Sequence, residues 1–126
     1  MRPPNAMDGI PAPISRISSM EDAVIAKEIV TQALHQDLLG ESLSASAFWT
    51  EDMVWYGPVG FGMATNKREY EDVYLAAMRG AFTERELQVD VLTCEGTYCG
   101  ANGFLYAINS GDFLGEKASN QPVRLR

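Results

Sequence analysis

The chain has 126 residues, 46% of them apolar, and carries 17 acidic against 10 basic residues for a net charge of −7. That length holds one domain and no second core. The acidic balance and the absence of any Lys/Arg run exclude a phosphate backbone as the expected partner. No stretch reaches the ~20 apolar residues of a membrane span.

Residues 1–18 hold four of the six prolines and show no periodicity, so they are expected to form an extended leader. Arg2 is followed by Pro3 and Pro4 with no apolar run behind it, which argues against a signal peptide and for a cytoplasmic protein. Residues 19–126 then form the single domain.

Ser19 has the chemistry of an N-cap, with Glu21 and Asp22 in the first turn. Ala23, Ala26, Val30, Ala33, Leu34 and Leu38 recur at helical spacing, and Gly40 stops the helix. A second short helix is expected over Leu43 to Trp49. Asp52 to Tyr56 is expected as a strand, followed by a turning, close-approach backbone over Gly57 to Gly62.

Asn66 to Glu69 has the pattern of a capping box, with Asn66 as N-cap and Glu69 reaching back. Behind it, Tyr70, Val73, Tyr74, Ala77, Met78, Ala81 and Phe82 make a helical stripe. The period then drops to two. Leu87, Val89, Val91 and Thr93 alternate with Gln88, Asp90 and Leu92 in a half-buried strand. Glu95-Gly96 makes the turn.

Tyr98 to Ile108 is a long strand, apolar on two faces: Phe104, Tyr106 and Ile108 on one, Leu105 and Ala107 on the other. Two apolar faces need two covers, such as a helix on one side and a pocket or partner subunit on the other, and a homodimer is the expected assembly. Gly111 to Gly115 is expected to continue extended, and Pro122 to Arg126 to open another strand. Helices first and strands after point to an α+β fold with a curled antiparallel sheet wrapped on helices.

Cys94 and Cys99 are expected as two free thiols on neighbouring strands, reduced in the cytosol, although across a hairpin they could approach. His35 is the only histidine, so no metal site is expected.

The run Trp55-Tyr56-Gly57-Pro58-Val59-Gly60-Phe61-Gly62 resembles the SnoaL-like polyketide cyclases, in which a tryptophan-tyrosine-glycine-proline-x-glycine-x-glycine segment ends the first strand and lines the ligand cavity. Ala81-Phe82 and Gly111-Asp112-Phe113-Leu114-Gly115 are similar to two shorter family segments, and Pro122 to Arg126 to the opening of the next strand. The usual proline-aspartate after the alanine-phenylalanine pair is Thr83-Glu84 here. The resemblance covers residues 21–126. It implies a cone-shaped, cystatin-like fold of the nuclear-transport-factor-2-like superfamily, commonly dimeric through its sheet.

Two departures bear on chemistry. The family's histidine is replaced by Asn109, an amide that donates a hydrogen bond but does not shuttle protons at neutral pH. The family's acid/base aspartate lies on a strand that would follow Arg126, so the resemblance implies a domain lacking its last strand or strands.

The expected function is binding of a small hydrophobic or polyketide-like carbonyl compound, with cofactor-free cyclase or isomerase chemistry if a carboxylate is supplied. The alternatives are a non-catalytic binding or dimerisation module of the same fold, or a fragment of a longer protein. The expected ligand-binding residues are Trp55, Tyr56, Phe61, Met63, Tyr74, Met78, Phe104, Tyr106 and Asn109, with no cofactor. None of the candidate carboxylates stands out as a base: Asp90 is expected to face solvent, Asp112 to sit at the mouth, and Asp52 to cap a turn. His35 is expected at a helix surface near its C-terminal end.

Overall fold

A computed structural model describes residues 16–42 and 47–126, with side chains from Met20 onward. Helix α1 spans Arg16–Leu39. All six residues of the expected stripe (Ala23, Ala26, Val30, Ala33, Leu34, Leu38) are buried or half-buried, and Thr31, Asp37 and Leu39 join them. Ser19 lies inside the helix rather than capping it, because Arg16 to Ser18, assigned above to the leader, are already helical. The rest of the leader and residues 43–46 of the expected second helix lie outside the described residues. Residues 47–49 are turn and bend, not helix.

The expected strand over Asp52 to Tyr56 contracts to β1, Trp55–Tyr56. The chain turns at Thr50, where Met53 N–H donates back to its carbonyl at 3.2 Å, and that turn consumes the residues ahead of Trp55. Strand β2, Met63–Ala64, pairs antiparallel with β1 and aligns Trp55 with Ala64 and Tyr56 with Met63.

Helix α2 (Lys67–Tyr70), a π segment (Glu71–Leu75) and α3 (Ala76–Ala81) run on as one helix. Its start behaves as expected at Asn66, whose Oδ1 accepts from Glu69 N–H at 2.8 Å. Glu69 reaches back one residue further than the capping box predicts, accepting from Thr65 N–H and Thr65 Oγ1. The π segment shifts the apolar stripe, since its wider turn rotates later residues relative to an α-helix. Leu75 becomes fully buried while Val73, in the expected stripe, is exposed. Phe82, expected as the last helical residue, instead opens the next strand.

Strands β3 (Phe82–Glu95), β4 (Tyr98–Asn109) and β5 (Pro122–Leu125) form an antiparallel sheet in that order. The alternation expected along β3 fails past its middle. A register shift between Val89 and Val91 inserts an extra residue, so the inward face passes to Leu92 and Cys94 while Val91 is 47% exposed. A bulge has this effect because two residues on one strand oppose one on its partner.

On β4, Leu105 and Ala107 are buried and join Met78, Ala81 and Phe82 in the main core. Phe104 on the other face is half-buried, with the guanidinium groups of Arg124 and Arg126 over its ring at 4.6 and 4.9 Å. Gly111 to Gly115 is not extended: Phe113 and Glu116 exchange backbone hydrogen bonds at 2.9 Å, folding the segment into a tight loop.

Cys94 and Cys99 face each other across the β3–β4 hairpin and form a disulfide, so the expectation of two free thiols is corrected. The architecture is thus α+β, an N-terminal helix packed on a small antiparallel sheet. Among the described residues no helix is long and apolar enough to cross a membrane.

Candidate functional site

The densest aromatic packing lies where α1, the β1–β2 hairpin and the π segment meet. The ring of Trp55 stands 4.7 Å from Tyr74, 5.5 Å from Tyr70 and 5.8 Å from Phe61, centroid to centroid. Phe61 continues the cluster to Phe113 at 5.6 Å. Local backbone makes this possible. Trp55 folds back over Gly57, where any Cβ would collide with the indole and with the Gly62 carbonyl. The Gly57 N–H donates to that carbonyl at 2.9 Å, closing the turn that carries Phe61 to Trp55.

Beside the cluster lies a cavity of about 480 Å³, walled by Ala33, Leu34, Trp49, Met53, Trp55 and Tyr74 among others, with Asp37 and Tyr70 also lining it. This volume falls in the range of small-molecule sites, ~300–1,000 Å³. A second, smaller space of about 200 Å³ opens between α1 and the sheet, with Leu38, Met78, Leu87, Phe104 and Leu125 on its walls. Tyr74 lines both.

Asp37 is the one polar side chain in the buried set among the described residues, at 3% exposure. It sits four residues after Ala33, in register with the apolar stripe of α1. Its Oδ2 accepts from Trp49 Nε1–H at 2.5 Å and from Tyr70 Oη–H at 3.0 Å. Burial pushes the Tyr70 phenol well above its ordinary value, and the negative charge and hydrogen bond of Asp37 add to that. Burial likewise raises Tyr74, followed by the charge of Asp37.

The C-terminal end of α1, which leads out of this site, is held by two arginines. Arg85 donates to the Gly40 carbonyl at 2.6 Å and pairs with Glu41 at 2.8 Å. Arg79 donates to the Ser42 carbonyl at 3.1 Å. Cations here meet carbonyls at and beyond a helix C-terminus, where intrahelical partners run out. Burial depresses the Arg79 guanidinium below its ordinary value, and the neighbouring charge of Arg85 adds to this.

The structure brings Trp55 and Tyr74 to the larger cavity, Tyr74, Met78 and Phe104 to the smaller one, and Phe61 against the rings of Trp55 and Tyr74. It does not bring the other expected residues to either. Tyr56 and Met63 pair on the outward side of the β1–β2 hairpin, 79% and 52% exposed. Tyr106 donates to Gln88 Oε1 at 3.3 Å.

Asn109 organises the loop after β4. Its Nδ2 donates to the Ala81 and Gly111 carbonyls at 3.3 and 2.9 Å, and its Oδ1 accepts from Ser119 N–H at 2.8 Å. Asp112 accepts from Ala118 N–H, Asp90 from Gln88, and His35 lies on the exposed side of α1 against the Thr31 carbonyl. Asp37 and Tyr70 were not among the residues expected from sequence. The available signal was a charged residue set in the apolar repeat of a helix, where only a buried partner makes it tolerable.

Among the described residues no group of three or more His, Cys, Asp or Glu is placed to hold a metal ion. Comparison with known proteins finds no matching family model, no matching curated protein and no matching solved structure.

Proposed function

We propose that this chain binds a small, flat, hydrophobic carbonyl compound of polyketide-like character, as a SnoaL-like member of the nuclear-transport-factor-2-like superfamily with a cone-shaped sheet. The observation that carries the proposal is the cavity of about 480 Å³ against Trp55, Tyr70 and Tyr74. Aromatic walls of this kind suit a fused-ring ligand, through apolar area and offset stacking. The motif from Trp55 to Gly62 supports the same assignment, since its glycines let Trp55 lie over the backbone.

A second proposal, cofactor-free acid/base chemistry on that ligand, is favoured by one observation only: a buried carboxylate, Asp37, lines the cavity. Binding ranks ahead of catalysis because the amide of Asn109, at the family's histidine position, is engaged with the end of α3 and with its own loop.

Anthraquinone, a flat tricyclic diketone, tests the binding proposal. Titrating it should quench the tryptophan fluorescence saturably, and Trp55→Ala should weaken binding at least tenfold while the circular dichroism spectrum stays native. No saturable quenching with the native chain would overturn it.

A further inference from the structure

The polar end of the larger cavity has a direction. Trp49, Asp37 and Tyr70 all line it. The indole N–H of Trp49 and the hydroxyl hydrogen of Tyr70 both point at Asp37 Oδ2. An indole has no other polar atom, and a phenol that donates its hydrogen keeps only acceptor lone pairs. A carboxylate is acceptor-only. Toward anything that enters, Trp49 therefore presents no polar atom, and Asp37 and Tyr70 present acceptors, not donors. Tyr74 adds a hydroxyl that can turn either way, so the bias comes from Asp37 and Tyr70.

We infer that this cavity selects ligands carrying a hydrogen-bond donor, a hydroxyl placed at the Asp37–Tyr70 end, over the same ring system without one, and that it rejects anionic ligands. The inference rests on the binding proposal above and names the chemistry of the ligand it would take. A hydroxylated ring system fits because its donor finds a charged or phenolic acceptor while its rings lie against Trp55 and Tyr74. A carboxylate or phosphate on the ligand would meet the negative charge of Asp37 in a poorly solvated site, where like charges repel strongly. The raised phenols of Tyr70 and Tyr74 agree with this, since both stay protonated beside that charge. Selection of this kind is steep because a buried polar group matched by a ligand donor is worth far more than added apolar area.

The test uses the intact chain and three derivatives of one ring system: 2-(hydroxymethyl)anthraquinone, the isosteric 2-ethylanthraquinone, and anthraquinone-2-carboxylate. Affinities are read by tryptophan quenching and by calorimetry. The alcohol should bind about tenfold or more tightly than the ethyl compound, as for a hydrogen bond to a charged group, and the carboxylate most weakly of the three. In Asp37→Asn the advantage of the alcohol should shrink and the handicap of the carboxylate should largely disappear.

Equal or tighter binding of the ethyl compound by the native chain would overturn the inference and leave the binding proposal standing. Failure of all three, and of anthraquinone, would overturn the binding proposal itself. The series on the native chain decides the matter even if Asp37→Asn does not fold.

Discussion

The hydroxyl of Tyr70 donates to Asp37 Oδ2 at 3.0 Å across 33 residues of chain, tying α2 to the last turns of α1. Trp49 Nε1–H meets the same oxygen, so one carboxylate holds three parts of the molecule together. Asp37→Ala removes the acceptor from both donors and opens a void. Each buried donor left alone costs roughly 1–3 kcal/mol, so the variant should lose about 2–5 kcal/mol in urea unfolding. Tyr70→Phe should lose less, and a double-mutant cycle should show coupling of about 1 kcal/mol or more. A loss below about 1 kcal/mol for Asp37→Ala would show that the carboxylate does not hold these segments.

Gly57 and Gly103 are each pressed against a neighbour, but by different parts of the fold. A Cβ on Gly103 would run into the Gln88 carbonyl and the Val89 backbone at the β3 bulge. A Cβ on Gly57 would run into the Trp55 indole. Gly103→Ala should therefore destabilise the sheet, by about 2 kcal/mol or more. Gly57→Ala should displace Trp55 and weaken anthraquinone binding. Thermal unfolding together with ligand titration separates the two, and an unchanged titration for Gly57→Ala would refute the role given to the turn.

Alkaline pH should unfold the chain through its buried phenols. Tyr70 holds its proton in the folded state well above the ordinary tyrosine value of 10.0, and burial raises Tyr74 above it too. In the unfolded chain both ionise near that value, so above it the folded state binds more protons. Stability then falls as pH rises, and it is fully present below the unfolded value. Unfolding followed from pH 8 to about 12 should show this slope, and Tyr70→Phe should flatten it. A slope identical in native chain and variant would contradict the burial assigned to Tyr70.

The disulfide closes a short loop, with a sequence separation of five between Cys94 and Cys99. Chain-entropy cost for so small a loop is about 2 kcal/mol. The paired substitution Cys94→Ser with Cys99→Ser should lower stability by no more than that, without affecting ligand titration, since neither residue lines either of the two cavities described above. Thiol titration of the native chain should detect free cysteine only after reduction. Reactive thiols before reduction would contradict the bond.

The stripe of α1, the N-cap at Asn66, the turn at Gly96 and the long strand over Tyr98 to Ile108 were all legible in the residues, because each follows from periodicity or from local hydrogen bonding. The turning, close-approach backbone from Gly57 to Gly62 was legible for the same reason, while a pocket wall at Trp55 was implied only by the family resemblance. Tyr56 and Met63 misled because a two-residue strand alternates, and the motif does not say which side faces in.

Other features needed the whole fold. An extra residue in β3 passes the inward face from Val89 and Val91 to Leu92 and Cys94, and a π turn exchanges Val73 for Leu75; both insert backbone without marking the side-chain pattern. Cys94 and Cys99 bond because the hairpin register sets them opposite each other. Asp37 reads as an ordinary charge near a helix end until Tyr70 and Trp49 arrive from 33 and 12 residues away. Local sequence determined where the first helix, the start of the second and the two long strands form. The tertiary structure alone decided which polar groups meet inside, because a buried carboxylate is tolerable only where distant donors converge on it.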